Sequence, residues 1–297
     1  MTLFHATTGC LLRIVSAPLR THDMSRAHLV QEVMRAGDVV VADRGFCSFV
    51  HLVMLLQTGV CAVFRLHQRT IVSFRKGRDY AKKRRGKKAR PPLKGKPTSK
   101  WVKWLGTSDQ IVEYFKPKSR PKWMTIEACI LLAESIQVRE LRYRIARRGD
   151  RVKEVLLVTT LLDAVVYPAT ELASLYQQRW EIETHLRHLK QTLGMDVLRT
   201  KTVDGIHKEL AMFAIVYNLI RLVMMKSANS QNVLVTRISF VDAQRQLRHA
   251  FTGTDLPKLI VLPNRPHRCE PRVRKRRPKQ YPVMQKPRRK LKQDLMK

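Results

Sequence analysis

Residues 175–194, LYQQRWEIETHLRHLKQTLG, carry two stripes at helical spacing. At about 100° per residue, Arg179, Glu183 and Lys190 fall at about −60°, −20° and −40° from Tyr176, an arc of about 60°. Leu175, Ile182, Leu186, Leu189 and Leu193 fall between about −80° and −140°, a separate apolar stripe. Glu181, His185 and His188 point away from Glu183. The spacing predicts one helix over about 170–193, with Pro168 and Thr170 at its start and Gly194 as its stop. One carboxylate flanked by two cations and a phenol suits a divalent metal beside phosphates. It suits a core poorly, because unpaired buried charge is costly. An Arg179–Glu183 pair at i, i+4 on a solvated face is the plainer alternative.

Upstream, residues 2–6 and 11–17 read as two apolar strands around Thr7-Thr8-Gly9, a hairpin signal. SRAHLVQEVMR (25–35) reads as a helix capped by Ser25 and ended by Gly37-Asp38. Val39–Ala42 is a short apolar run without polar alternation, as in strands covered on both faces. Asp43 follows it, at the carboxyl end where open α/β sheets place ligands. Capping a helix or pairing with Arg44 is the bland role for this Asp. A helix over 47–57 and a strand over 60–66 come next. Strands at 141–146 and 155–162 precede the 170–193 helix. A further helix from Lys208 to about Met225 is apolar on most of its surface and is expected to be buried.

The 297-residue chain carries a net charge of +35, unevenly spread. Residues 65–122 hold 20 Lys/Arg against 3 Asp/Glu, and residues 263–297 hold 14 against 2. Such a chain calls for a polyanion, and nucleic acid is the first candidate. An anionic membrane fits less well, since neither basic run is an amphipathic helix. No stretch of eighteen uncharged apolar residues occurs, and MTLFHATTGCLLRIV lacks the basic n-region of a secretory signal. Residues 82–100 are low in complexity, basic and broken by Pro and Gly, which reads as a loosely ordered loop. Trp101, Trp104, Tyr114, Phe115 and Trp123, interleaved with lysines, suit either a DNA-stacking surface or the small core of a β-rich insertion. The segment from about Pro263 reads as a basic tail. Cys10, Cys47, Cys61, Cys129 and Cys269 form an odd, scattered set without C-x-x-C, which reads as reduced thiols in the cytoplasm. His22 with Asp23, and His267 near Cys269, read as loop residues before they read as metal ligands.

Asp43 and Glu183 are the two acids that chemistry singles out. A hard cation with oxygen ligands joins such groups, and Mg²⁺ is usually held by a few carboxylates plus substrate phosphates. Arg179 and Lys190 fit beside it as phosphate clamps, since phosphoryl transfer is mainly positioning and charge neutralisation.

Tyr176-x2-Arg179-x3-Glu183-x6-Lys190 resembles the Y-x2-R-x3-E-x6-K signature of DDE-class bacterial insertion-sequence transposases, in the insertion-sequence family four branch. ADRGF (42–46) resembles the second-aspartate segment of that family, and residues 175–221 are similar throughout to its C-terminal catalytic block. The resemblance implies an α/β fold, an RNase H-like mixed sheet flanked by helices and interrupted by a β-rich basic insertion. On that reading 1–66 is the first part of the core and 67–168 the insertion. Residues 169–226 complete the core, and 227–297 form a basic C-terminal region. It further implies cut-and-paste transposition, with Asp43 and Glu183 as catalytic, metal-binding acids for Mg²⁺ or Mn²⁺. Tyr176, Arg179 and Lys190 would contact DNA. The implied partners are double-stranded DNA (element ends and target) and a second copy in a synaptic homodimer, without a membrane, in the cytoplasm at the nucleoid. The family's first catalytic Asp lies ahead of the hairpin, whereas this sequence has no Asp before Asp23. The expectation is therefore a chain lacking the N-terminal part, with doubtful activity. A non-catalytic DNA-binding fragment that inhibits a full-length transposase is the second reading. A basic structural or RNA-binding protein is the third.

Overall fold

Val39–Ala42 forms β3, and it pairs in parallel with β4 (Cys61–Arg65), Val39 opposite Cys61 and Ala42 opposite Phe64. Parallel neighbours need a crossover. Here it is helix α2 (Phe49–Gln57), capped by the Ser48 hydroxyl, which accepts from the His51 amide. Gly59 turns the chain back into β4 at φ 73°. The computed structural model describes residues 1–18, 20–81, 96–145, 154–249 and 258–263, with Gln293. The basic run 82–95 and the tail from 264 on apart from Gln293, His267 and Cys269 among it, lie outside the described residues.

The chain opens on an antiparallel hairpin, β1 (Thr2–Phe4) and β2 (Leu11–Ile14), which forms a two-stranded sheet of its own. The expected helix over 25–35 is much shorter. A 3₁₀ turn at Asp23–Arg26 precedes a four-residue α1 (His28–Gln31). His22, not Ser25, caps the 3₁₀ turn, with Nδ1 accepting from the Met24 amide at 3.2 Å, and α1 has no side-chain cap. That cap gives His22 a local structural role.

β5 (Lys100–Gly106), β6 (Asp109–Phe115), β7 (Ser135–Arg144) and β8 (Glu154–Thr159) join β3 and β4 in a six-stranded sheet of order β3-β4-β8-β7-β6-β5. Every pair but β3–β4 is antiparallel. The sheet is thus mixed, and strands from 67–168 extend the one that carries Asp43. A short α3 (Ile126–Ile130) interrupts the β6–β7 connection.

Period-two alternation divides the sheet between two cores. Phe64, Val112, Val138 and Val158 pack with Leu52 and Leu55 of α2. Val63, Leu141 and Leu157 pack with Leu172 and Tyr176 of α4 (Ala169–Gln178) on the other face. Coverage on both faces therefore describes β4, whose Ala62, Val63 and Phe64 are all buried. It does not describe β3, which is an edge strand with Val39 exposed, because nothing pairs beyond it among the described residues.

A third cluster joins the hairpin to α6 (Val203–Ser230) and α7 (Phe240–His249), through Leu11, Tyr217, Ile220, Met224 and Phe240. Asn218 of α6 holds Leu11 with both side-chain atoms, and the Tyr217 hydroxyl donates to Gly9 O at 3.0 Å. Burial of α6 was expected on most sides, yet Met212 (58%) and Leu222 (54%) face solvent. Only one side packs on β2 and α7, so the other apolar side has no partner among the described residues. By length and composition α6 would cross a bilayer, but its packed side buries Arg221 against Thr8 O, as a core helix does.

Burial pulls His51, His185 and His188 down to about 4; Arg221 adds to the effect on the last two. Each keeps a buried ring nitrogen without a partner. Unfolded, these rings gain protons from about pH 6.5 downward; folded, they stay neutral until about 4. Their contribution to stability is present above pH 6.5 and is lost as pH falls toward 4. Unfolding free energies from urea titrations should therefore drop between pH 7 and 5, above the carboxylate range, at up to roughly 1.4 kcal/mol per pH unit for each histidine, and the midpoints with them. A flat midpoint over that interval would contradict the burial.

Candidate active site

The predicted single helix over 170–193 is three segments. α4 starts after Pro168 and ends at Gln178; α5 runs Glu181–Arg187; a π-helical turn covers His188–Thr192. Across the junction the amides of Arg179, Trp180, Ile182 and Glu183 bond three residues back, to Tyr176, Gln177, Arg179 and Trp180. Such bonding is 3₁₀-like and advances about 120° per residue, while the π turn underwinds. A uniform 100° spacing therefore fails beyond Arg179. Gly194, at φ 83°, does end the run as expected.

The first consequence concerns Tyr176. The polar stripe to which it belongs suits a core poorly, yet the residue is only 2% exposed and packs in the core with Val63, Leu157 and Leu172. Only its hydroxyl reaches the site, donating to Asp43 Oδ1 at 3.3 Å across 133 residues of sequence. Burial raises its pKa to about 12, so the hydroxyl keeps its proton and acts as donor. Asp43 Oδ1 also accepts from the Arg44 amide at 2.8 Å, and the Phe46 amide closes a turn on Asp43 O. Both side-chain bonds use Oδ1, which leaves Oδ2 without a hydrogen-bond partner among the described residues.

Arg179 stands next. Its guanidinium lies 5.7 Å from the Tyr176 ring centre and 4.7 Å from that of Trp180, and its Nη2 is 4.0 Å from Glu183 Oε1. The Arg179 side chain is 11% exposed and that of Glu183 is 55% exposed. Arg179 Nε is buried without a partner. A cation held against two rings by cation–π contact, and paired only loosely with its acid, has donors to spare for an anion. Asp43, Tyr176, Arg179 and Glu183 thus form one chain of contacts. Lys190 is exposed on the π turn, and no contact joins it to the other four among the described residues. Its charge acts instead on the amino group of Met1.

Among the described residues no three His, Cys, Asp or Glu side chains gather as a metal cage. The donors that are present, a half-buried carboxylate with a free oxygen and an exposed carboxylate, are hard ligands. They fit a dication whose remaining ligands come from substrate phosphates.

The aromatic set of the 101–123 region divides between the two roles weighed for it. Trp123 stacks on His28 and His51, at 4.8 and 5.4 Å, and Tyr114 is half-buried with its hydroxyl donating to Glu140, so both are structural. Trp104 and Phe115 are exposed, and Lys76 Nζ lies 4.0 Å over the Trp104 ring. Cys10, Cys47, Cys61 and Cys129 form no disulfide among the described residues. Arg65, the last residue of β4, escaped the sequence reading although it ends a strand parallel to the one that precedes Asp43. A charge closing an apolar run at a carboxyl strand end was the available signal.

This mixed α/β fold, with an acid at a carboxyl strand end tied to a Tyr–Arg–Glu helix, has the architecture of the RNase H-like DDE transposases. The family described as "Transposase DDE domain" matches residues 1–219, and the chain belongs to it. Among curated proteins it is similar to the transposase InsG for insertion sequence element IS4 of Escherichia coli (strain K12), at 30% identity over 215 residues. That match covers 66% of this chain and 46% of InsG. It is also similar to the probable transposase for insertion sequence element IS5377 of Geobacillus stearothermophilus, at 33% identity over 94 residues, 32% of this chain and 24% of that protein. The chain spans less than half the length of these relatives.

Replacing Tyr176 with Phe should keep the packed ring and remove the donor to Asp43. At 3.3 Å the bond is long, so the expected loss is about 1 kcal/mol in urea unfolding. Tyr176→Ala should cost about 3–5 kcal/mol. Equal losses in the two variants would place the ring outside the core.

Proposed function

We propose that this chain carries the second and third acids of a DNA transposase that acts by DDE-type phosphoryl transfer, cleaving strands at element ends and joining them to target DNA. The observation that carries the reading is the Tyr176–Asp43 bond, which ties Asp43 to the end of α4, just before the Arg179–Glu183 pair that links the junction to α5. Asp43 and Glu183 would hold Mg²⁺ or Mn²⁺. When bound, such an ion supplies a more acidic water or 3′-hydroxyl and neutralises charge on the reacting phosphate.

Each side chain then has a task of its own. Tyr176 orients the Asp43 carboxylate and leaves Oδ2 free. Arg179, loosely paired, turns to a phosphate oxygen and offsets its charge, an effect strongest where charge develops in the transition state. Lys190 meets the DNA strand further along as a point charge. The double-stranded DNA partner, the synaptic homodimer and a cytoplasmic, nucleoid-associated site of action belong to the same proposal. So does the division into core segments 1–66 and 169–226, an insertion 67–168 and a basic region 227–297.

A DDE site uses three acids, and on this reading Asp43 and Glu183 are two of them. Two carboxylates within a chain of net charge +35 also favour a second reading, a non-catalytic DNA-binding protein that inhibits a full-length transposase.

The test is end cleavage. In Mg²⁺, the protein should nick linear DNA bearing the element's terminal repeats. Asp43→Ala and Glu183→Ala should each lower the nicking rate by about 100-fold or more, the scale of a lost transition-state charge stabiliser. DNA affinity should stay near that of the parent. Unchanged nicking in both variants refutes the assignment. Binding without nicking in any form favours the inhibitory reading.

A further inference from the structure

The open side of α6 is apolar and uncharged over three turns. Met212, Ile215, Val216, Leu219 and Leu222 each expose between 37% and 58% of their surface. Counted from Met212 at about 100° per residue, the other four fall at about −60°, +40°, −20° and −80°, one stripe. The buried Tyr217, Ile220 and Met224 turn away from it. Between Glu209 and Lys226 the one charged residue is Arg221, which points into the core against Thr8 O. Beside the stripe, between α6 and α7, lies a hollow of about 330 Å³ lined by Leu193, Met212, Phe213, Val216, Ile220 and Leu247, among others.

A contiguous apolar patch rimmed by polar residues marks an interface. The five side chains expose roughly 500 Å², so two copies joined here would bury about 1,000 Å², the threshold of a specific interface. In a chain of net charge +35 most of the surface repels a second copy, and an uncharged face is where two can meet. The two ends of the stripe differ in charge. Asp204, Lys208 and Glu209 sum to −1 at one end, with Lys208 Nζ 2.7 Å from Asp204, and Lys226 carries +1 at the other. Antiparallel stripes therefore bring opposite charges together, whereas parallel stripes bring like charges together. A twofold axis at the level of residue 217 also matches the apolar positions. Ile215 then faces Leu219 of the second copy, and Met212 faces its Leu222.

We propose that the open side of α6 is a self-association face, on which a second copy of this chain docks through its own α6, antiparallel. Leu219 and Leu222 of each copy settle beside the hollow at Met212 and Val216 of the other. This gives the second copy of the proposed function a surface. Only the purpose of the pairing, holding two DNA ends, rests on that reading.

Sedimentation velocity of the intact chain, without DNA or metal, should show a monomer–dimer equilibrium over a concentration series. Leu219→Glu and Leu222→Glu should each raise the dissociation constant about tenfold or more, the scale of a central interface residue. Both positions are exposed, so melting temperatures should stay near the parent's. If either variant melts early, the milder Met212→Gln provides the same reading. Lys226→Glu should weaken association, because it would face the acidic end of the second stripe. Lys201→Glu, exposed and off the stripe, should strengthen it slightly by lowering the net charge. Added salt should tighten the dimer by screening repulsion, the reverse of its effect on DNA binding. A chain monomeric at every concentration, or a dimer indifferent to the Leu219 and Leu222 variants, would overturn the proposal. Equal responses to Lys226→Glu and Lys201→Glu would overturn the antiparallel register. Vesicles of phosphatidylcholine provide a second arm, since α6 is long and apolar enough to cross a bilayer. Vesicle binding by a monomeric chain, lost in Leu222→Glu, would assign the face to lipid and overturn the dimer. Nicking plays no part in these measurements, so failure here and failure of the transposase reading are told apart.

Discussion

A single phenol joins the two halves of the candidate site. The ring of Tyr176 is core material, closed in by Val63, Leu141, Leu157 and Leu172, while its hydroxyl lies against Asp43. Burial sets both properties. It locks the ring, and by opposing the phenolate it keeps the hydroxyl a donor. A group with one end dry and one end polar transmits the rigidity of the sheet to a carboxylate at its rim. Arg179 is then placed by the next turn of the same chain, between the Tyr176 and Trp180 rings, and Glu183 follows it.

The junction at Arg179–Trp180 belongs to the same design. Three-residue hydrogen bonds overwind the helix there, and the π turn at His188–Thr192 underwinds it. Departures of this kind often mark functional segments, since they re-aim side chains that a regular helix would stack in rows. Here the departure accompanies a Tyr176 turned into the core and a Glu183 turned to solvent.

Charge is concentrated where it has a partner to meet. Cations that the fold needs internally are paired or capped: Arg139 reaches Asp109 with Nε at 2.8 Å, and Arg221 bonds Thr8 O. Around Asp43 the pattern is different. Arg44, Arg65 and Arg179 keep donors in reserve, and the acids near them are too few to neutralise them. Buried cations without counter-charge are expensive, so such a surplus is stable only at a surface that water or an anion completes.

Much was legible in the linear chain. The hairpin, the β3–α2–β4 unit, the Gly194 stop and the acid after β3 follow from local rules, because apolar runs, caps and glycines act over a few residues. Residue type and spacing also singled out Tyr176, Arg179, Glu183 and Lys190. The tertiary structure alone decided that Tyr176 is buried, that the YREK helix breaks after Gln178, that β3 is an edge, and that one side of α6 is open. It alone brought the strand ends that carry Arg65 and Arg142, 77 residues apart in sequence, to one surface hollow, on strands β4 and β7 that both neighbour β8. Periodicity says which side of an element is apolar. Which neighbour covers that side, and which cations share a cavity, depends on long-range pairing that no local pattern encodes.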